Sequence, residues 1–128
     1  MITNSNQRDR APIVAVDFDG TLVTNEWPNI GEANLGLIAA LAEARALGEI
    51  KVILWTCRAG EALEKAVDFC SHNGLEFDAV NENLPEMVEL FGGDSRKVFA
   101  DHYLDDKAVI VNASSDIARL AGRRLKNG

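Results

Sequence analysis

Three short clusters in this sequence carry side chains able to do chemistry together: Asp17-Phe18-Asp19-Gly20-Thr21, Thr56-Cys57-Arg58 and Asp105-Asp106. Each follows an apolar run. If those runs are parallel strands, their ends converge, and four carboxylates, a hydroxyl and nearby cations share one place. Two like charges about 4 Å apart repel by roughly 4 kcal/mol at an effective dielectric near 20. Such a cluster needs either protonated members or a cation among them. Oxygen donors without thiolates or paired imidazoles suit a hard metal, and Mg²⁺ is the expected one.

The elements that must position these groups are legible from the pattern. Pro12 opens the run Ile13-Val14-Ala15-Val16, a continuous apolar stretch that predicts a strand buried on both faces. Residues 21 to 31 are irregular, with Trp27-Pro28 and Gly31 as breakers. A helix is predicted from Glu32 to Leu47, with Leu37, Ile38, Leu41, Ala44 and Leu47 as its apolar stripe and Gly48 as its cap. Lys51 to Thr56 predicts the second strand. Gly60 to His72 predicts the second helix, with Leu63, Ala66, Val67 and Cys70 inward and Asn73-Gly74 as its stop. Phe77 to Val80 predicts a third strand, and Pro85 to Phe91 a short helix ended by Gly92-Gly93. Lys97 to Ala100, His102 to Asp105 and Ala108 to Val111 are strand-like. A last helix, capped by Ser114 or Ser115, holds Ile117, Leu120, Ala121 and Leu125 inward. Arg123, Arg124 and Lys126 in its final turn suit the helix dipole. Strands alternating with helices predict an α/β sandwich with a mainly parallel sheet, helices on both faces, and a site beyond the carboxyl ends of the strands.

With the residues in this order, Asp17-Phe18-Asp19-Gly20-Thr21-Leu22-Val23 closely resembles the DxDGT motif that opens the haloacid dehalogenase superfamily of phosphatases. Thr56 resembles that family's second motif, Lys97 its third and Asp105-Asp106 its acidic fourth, so the resemblance covers residues 12 to 112. It implies a Rossmann-like three-layer sandwich and a Mg²⁺-dependent phosphatase acting on phosphomonoesters. Asp17 would be the nucleophile that forms an aspartyl-phosphate and binds Mg²⁺ through its other oxygen. Asp19 would be the general acid and base, and would bind the metal through its backbone carbonyl. Asp105 would bind it through its side chain, and Asp106 would orient metal-bound water or pair with Lys97. Thr56 would bond a phosphoryl oxygen, and Lys97, or its neighbour Arg96, would pair with the phosphate and Asp17. Gly20 and Arg58 would join Thr56 on the substrate side, although a surface ion pair suits Arg58 equally.

Rivals exist for each group. DxDG also begins calcium loops, but Thr21 stands where such a loop needs a third ligand and a buried strand precedes it. Cys57 has no histidine nearby in sequence to activate it. Cys70 suits the core, His72 a helix end and His102 a strand flank. Trp27 either lines the entrance or packs over its own loop. A signalling receiver domain shares the acidic pair, threonine and lysine, but there the acidic pair ends the first strand and the acceptor aspartate lies mid-chain. A catalytically idle binding domain on the same fold would not need both aspartates of DxD.

Larger members of the resembled family carry an inserted cap domain. Here about a dozen residues separate Thr21 from the first predicted helix, and at most one short helix lies between Asn81 and Lys97. The chain therefore resembles a capless member. Its site is expected to be open, suited to a small phosphorylated molecule or an exposed phosphate on a larger one, and compatible with an oligomer whose second subunit covers it. Selectivity would fall to the loops 24 to 30 and 81 to 85.

A length of 128 residues predicts a single domain from residue 12 to 128 behind a disordered tail of residues 1 to 11. Hydrophobic residues at 47% and charged residues at 26% are a globular balance. A net charge of -7 disfavours broad binding to nucleic acid or anionic membrane. The polar start lacks a signal peptide's apolar core, no stretch reaches membrane-spanning length, and two cysteines without metal or redox spacing suit a reducing compartment. A cytoplasmic protein is expected.

Overall fold

The computed structural model describes residues 10–93 and 98–105. The elements are β1 (Ile13–Val16), α1 (Leu35–Ala46), β2 (Lys51–Leu54), α2 (Gly60–His72), β3 (Ala79–Val80), α3 (Pro85–Phe91) and β4 (His102–Leu104). Arg96, Lys97, Asp106, the strand expected over Ala108 to Val111 and the last predicted helix lie outside the described residues, as does most of the expected tail.

The fold is α/β, with four parallel strands in the order β3-β2-β1-β4. Val16 stands opposite Leu54 on one side and Leu104 on the other, so the carboxyl ends of the three strands lie level. The chain steps from β1 outward through β2 to β3, then returns to β1's other edge to lay down β4. That reversal opens a crevice between the carboxyl ends of β1 and β4, the place where such sheets bind ligands.

Alternation along the strands divides the core into two layers. Val14, Val16, Val52 and Leu54 pack with Leu37, Ile38, Leu41 and Ala44 of α1 and Ala66 and Cys70 of α2. Ile13, Ala15 and Ile53 pack on the opposite face with Leu84, Met87 of α3, Val98 and Ala100. The all-apolar sequence of β1 follows from this: both of its faces are covered, and all four residues are buried. Burial raises the Cys70 thiol pKa to about 12, which keeps it protonated and inert in the core.

Several boundaries differ from the sequence expectation, each for a local reason. Helix α1 begins at Leu35 rather than Glu32, because residues 32–34 are held extended against 22–24. Thr24 N–H donates to the Glu32 carbonyl (2.8 Å), Asn34 N–H to that of Leu22 (2.8 Å), and Val23 bridges Ala33. The Asn34 side chain then caps the helix by accepting from Leu37 N–H (3.2 Å). Leu47, expected on the apolar stripe, lies beyond the helix end and is exposed. The β2 ladder stops before Thr56 because Thr56 N–H donates to the Asn81 side chain (2.8 Å). Strand β3 is shorter than expected because the Asp78 carboxylate accepts Val52 N–H (2.7 Å). Val98 to Ala100 is not a strand; Phe99 N–H donates to the side chain of buried Asn83 (2.6 Å).

Among the described residues nothing inserted interrupts the sandwich: residues 17–34 contain only turns and two isolated bridges before α1. No helix among them is long and apolar enough to cross a membrane.

Asp101 joins β4 to the start of β1. Its carboxylate accepts Ile13 N–H (2.7 Å) and pairs with Arg10 (2.9 Å). Burial alone would raise its pKa, but the hydrogen bonds from Arg10 and Ile13 and the Arg10 charge outweigh it and hold the pKa low. A depressed folded pKa gives stability that is present above the unfolded value of about 3.9 and lost as pH falls through the folded one. Thermal melts from pH 7 to pH 3 should therefore show Asp101→Asn less stable than the parent at neutrality, with the gap closing at the acid end.

Candidate active site

Asp17 is the first residue past β1. Its N–H donates to the Leu104 carbonyl (2.9 Å), and its carboxylate accepts Phe18 N–H (2.8 Å), which fixes the head group at the strand end. The chain then turns sharply. The Phe18 carbonyl collects the N–H groups of Thr21 (3.2 Å), Leu22 (3.0 Å) and Val23 (3.2 Å), and Gly20 adopts φ +88°, where a side chain would be strained. Phe18 and Leu22 are buried completely. They anchor the turn from below while Asp17 and Asp19 remain partly exposed.

Two adjoining clefts meet at Asp17, Thr56 and Cys57. One, of about 470 Å³, is also lined by Trp55, Tyr103 and Asp105. The other, of about 400 Å³, is also lined by Asp19, Asn25, Trp27 and Arg58. Asp17 thus stands centrally, with Asp105 toward one side and Asp19 toward the other. This is the convergence expected for the ends of β1, β2 and β4, and it lies at the topological switch point. Lys97, Arg96 and Asp106 fall outside the described residues.

Thr56 is held by two contacts. Its N–H donates to Asn81, and its Oγ1 accepts Arg58 N–H (3.2 Å). Asn81 has φ +54°, a left-handed conformation that asparagine tolerates better than most residues. The sequence marks this supporting role only by an asparagine directly after a short strand.

Arg58 departs most from expectation. It is buried, with its side chain 1% exposed, and is no surface ion pair. Nε and Nη2 each donate to one oxygen of Asp19 at 2.8 Å. Nη2 also donates to the Asn29 carbonyl (3.0 Å) and Nη1 to that of Ala62 (3.4 Å). The guanidinium lies between the rings of Phe18 (4.9 Å) and Trp27 (4.8 Å). The hydrogen bond to Asp19 raises its pKa further, against a smaller opposing effect of burial. Asp19 therefore has a buried arginine as its counter-ion. Trp27 lines a cleft at 57% exposure, and its ring packs on the Arg58 guanidinium.

The rim loop is clasped at its base. Thr24 N–H meets the Glu32 carbonyl, and Glu32 N–H donates to Thr24 Oγ1 (2.9 Å). A Cβ on Gly31 would fall 2.2 Å from the Thr24 carbonyl oxygen and 2.3 Å from its Oγ1. Gly31→Ala should force this clasp apart at a cost of about 1–3 kcal/mol. A lowered Tm and faster proteolytic cutting within residues 24–31 would show it; an unchanged melt would contradict it.

The donor chemistry fits Mg²⁺. Asp17 and Asp105 directly follow the paired residues Val16 and Leu104 of adjacent strands and line one cleft. They offer carboxylate oxygens alone, and the backbone of Asp19 is close in sequence to add a carbonyl. Among the described residues, no three histidine, cysteine, aspartate or glutamate side chains gather around a common metal position. The expected set needs only two described side chains. The Asp19 carboxylate, turned to Arg58, is not one of them.

No protein-family model and no curated protein matches the chain. A solved structure does: that of the conserved protein coded by a locus of Bacteroides thetaiotaomicron. The two are 34% identical, and the match covers 92% of this chain and 96% of that one with a TM-score of 0.76.

Proposed function

The chain belongs to the family of that conserved Bacteroides thetaiotaomicron protein, and from its own site we propose that it is a Mg²⁺-dependent phosphatase of the haloacid dehalogenase type, hydrolysing phosphomonoesters at an open, capless site. The observation that carries this is the meeting of Asp17, Thr56 and Asp105, from three adjacent strand ends, in one cleft at the sheet's switch point. The motif order of the sequence supports it.

On this proposal an Asp17 oxygen attacks phosphorus. The Asp17 O–P bond forms as the P–O bond to the leaving group breaks, and Asp19 supplies the proton to the departing oxygen. Water then attacks the aspartyl-phosphate, Asp19 takes the water's proton, and inorganic phosphate leaves with Asp17 regenerated. The Phe18 N–H holds the Asp17 carboxylate in orientation throughout. Because Thr56 Oγ1 already accepts Arg58 N–H, its own O–H is directed elsewhere and can donate to a phosphoryl oxygen. Lys97 or Arg96 would pair with the phosphate. Asp17, Asp105, the Asp19 carbonyl and Asp106 would hold Mg²⁺, whose charge offsets the repulsion between an anionic nucleophile and a phosphate.

The test is a screen of phosphomonoesters graded in size, from aryl phosphates to phosphopeptides, with Mg²⁺ present and Asp17→Asn as control. Release of phosphate by the parent and not by the variant is expected. Failure across every size class would overturn the proposal.

A further inference from the structure

We infer that Arg58 is a positioning residue, through which the rim loop 24–32 sets the place of the Asp19 carboxylate at the edge of the cleft. The role given to Asp19 rests on the function proposed above; the physical linkage does not.

The linkage is visible from both ends. Asp19 stands at the cleft, 17% exposed, with both oxygens gripped by Arg58. A two-point grip on a planar carboxylate fixes its plane as well as its distance, which a single contact cannot do. At its other end Arg58 is fixed by the loop and not by solvent. Trp27 covers one face of the guanidinium, Phe18 packs against it from the core, and the Asn29 carbonyl takes a third N–H. The Ala62 carbonyl in α2 takes a fourth. Arg58 thus touches the catalytic turn, the rim loop and α2 together. Trp27 and Asn29 belong to the loop whose base the Thr24–Glu32 clasp closes, so movement of that loop is passed to Asp19 through a buried, rigid group. In a site without a cap domain, this gives the substrate a short loop to engage, and engagement reaches the acid–base carboxylate directly.

Two measurements test this, and the first needs no activity. In a Trp55→Phe background Trp27 is the sole tryptophan. Acrylamide quenching of its fluorescence should change when Asp19→Asn is introduced, because Arg58 loses its anchor, and should change further with Arg58→Met. If neither substitution alters Trp27 quenching in folded protein, the linkage is overturned, whatever the protein hydrolyses.

The second measurement is a double-mutant cycle on the hydrolysis of an alkyl phosphate and an activated aryl phosphate. Arg58→Met should lower kcat for the alkyl substrate by about 10²-fold with KM within about twofold, and the aryl substrate by much less. Added to Asp19→Asn, it should cost less than about twofold more, because its effect runs through Asp19. Arg58→Lys should recover little, since one ammonium cannot reproduce the two-point grip. A rise in KM with kcat unchanged, or full additivity with Asp19→Asn, would overturn the positioning role in favour of direct substrate contact. Should Arg58→Met fail to fold, Trp27→Leu on the exposed loop enters the same cycle, with a smaller loss of the same kind expected. Absence of hydrolysis by the parent would reject the proposed function, and the fluorescence result would still decide the linkage.

Discussion

Asp17→Asn is expected to lower phosphomonoester hydrolysis by at least roughly 10³-fold, the scale on which enzymes lose rate when a nucleophile is removed. The substitution keeps the shape of the side chain. Its amide oxygen can still accept Phe18 N–H, so the turn from Asp17 to Val23 and the melting behaviour should survive, and substrate should still bind. The covalent step should disappear. Asp19→Asn should behave differently. On the proposed mechanism it leaves the nucleophile in place and removes the proton carrier, so with an activated aryl phosphate the first step should outlast the second. Aspartyl-phosphate should then accumulate. Borohydride reduction followed by peptide mass analysis should find homoserine at position 17. Label elsewhere would remove Asp17 from the nucleophile's role. Persistent turnover by Asp17→Asn, after deamidation has been excluded, would end covalent catalysis at this position.

Thorough chelation is expected to abolish the same activity, and Mg²⁺ to restore it. The physical basis is that Asp17 and Asp105 follow adjacent strand ends and line the same cleft, so a cation there is held by carboxylate oxygens from both strands. A cation that binds only the folded state stabilises it by mass action, by about 2.7 kcal/mol at a hundredfold excess over Kd. For a chain of this size that is a rise in Tm of several degrees. Asp105→Asn should largely remove the rise, and should weaken Mg²⁺ binding in calorimetric titration more than Asp106→Asn does. Asp105 lines the cleft, and the expectation for Asp106 rests on the alternation of side chains along a regular strand. A larger loss for Asp106→Asn would reverse the assignment, and activity undiminished after chelation would remove the metal from the mechanism.

How far the site could be read in advance depended on the range of the interactions that build it. The turn from Asp17 to Val23 is local, made of hydrogen bonds within six residues and two apolar anchors, so its residues announce it. The same holds for α2, whose bounds match its apolar spacing, and for α3, opened by Pro85 and closed by Gly92 at φ +76°. Strand ends were harder. Thr56 and Asp78 leave the ladder because distant side chains or backbone groups satisfy their partners, and such substitution has no signature in a single strand's sequence. The start of α1 differs from the sequence expectation for the same reason, since residues 32–34 are held by residues 22–24.

From the sequence alone came the parallel α/β architecture, the meeting of Asp17, Thr56 and Asp105, and the lack of room for a cap between Thr21 and α1. Continuous apolar runs demand two covered faces, and parallel strands bring their ends together whatever the details of packing. Only the tertiary structure decided the company each charge keeps. Arg58 and Asp19 are 39 residues apart, and nothing in either neighbourhood distinguishes a surface arginine from one packed between Phe18 and Trp27. The choice is made by burial: once folding brings the rim loop and α2 to Arg58, its guanidinium must find a carboxylate and carbonyls to satisfy it, and Asp19, Asn29 and Ala62 are the groups within reach.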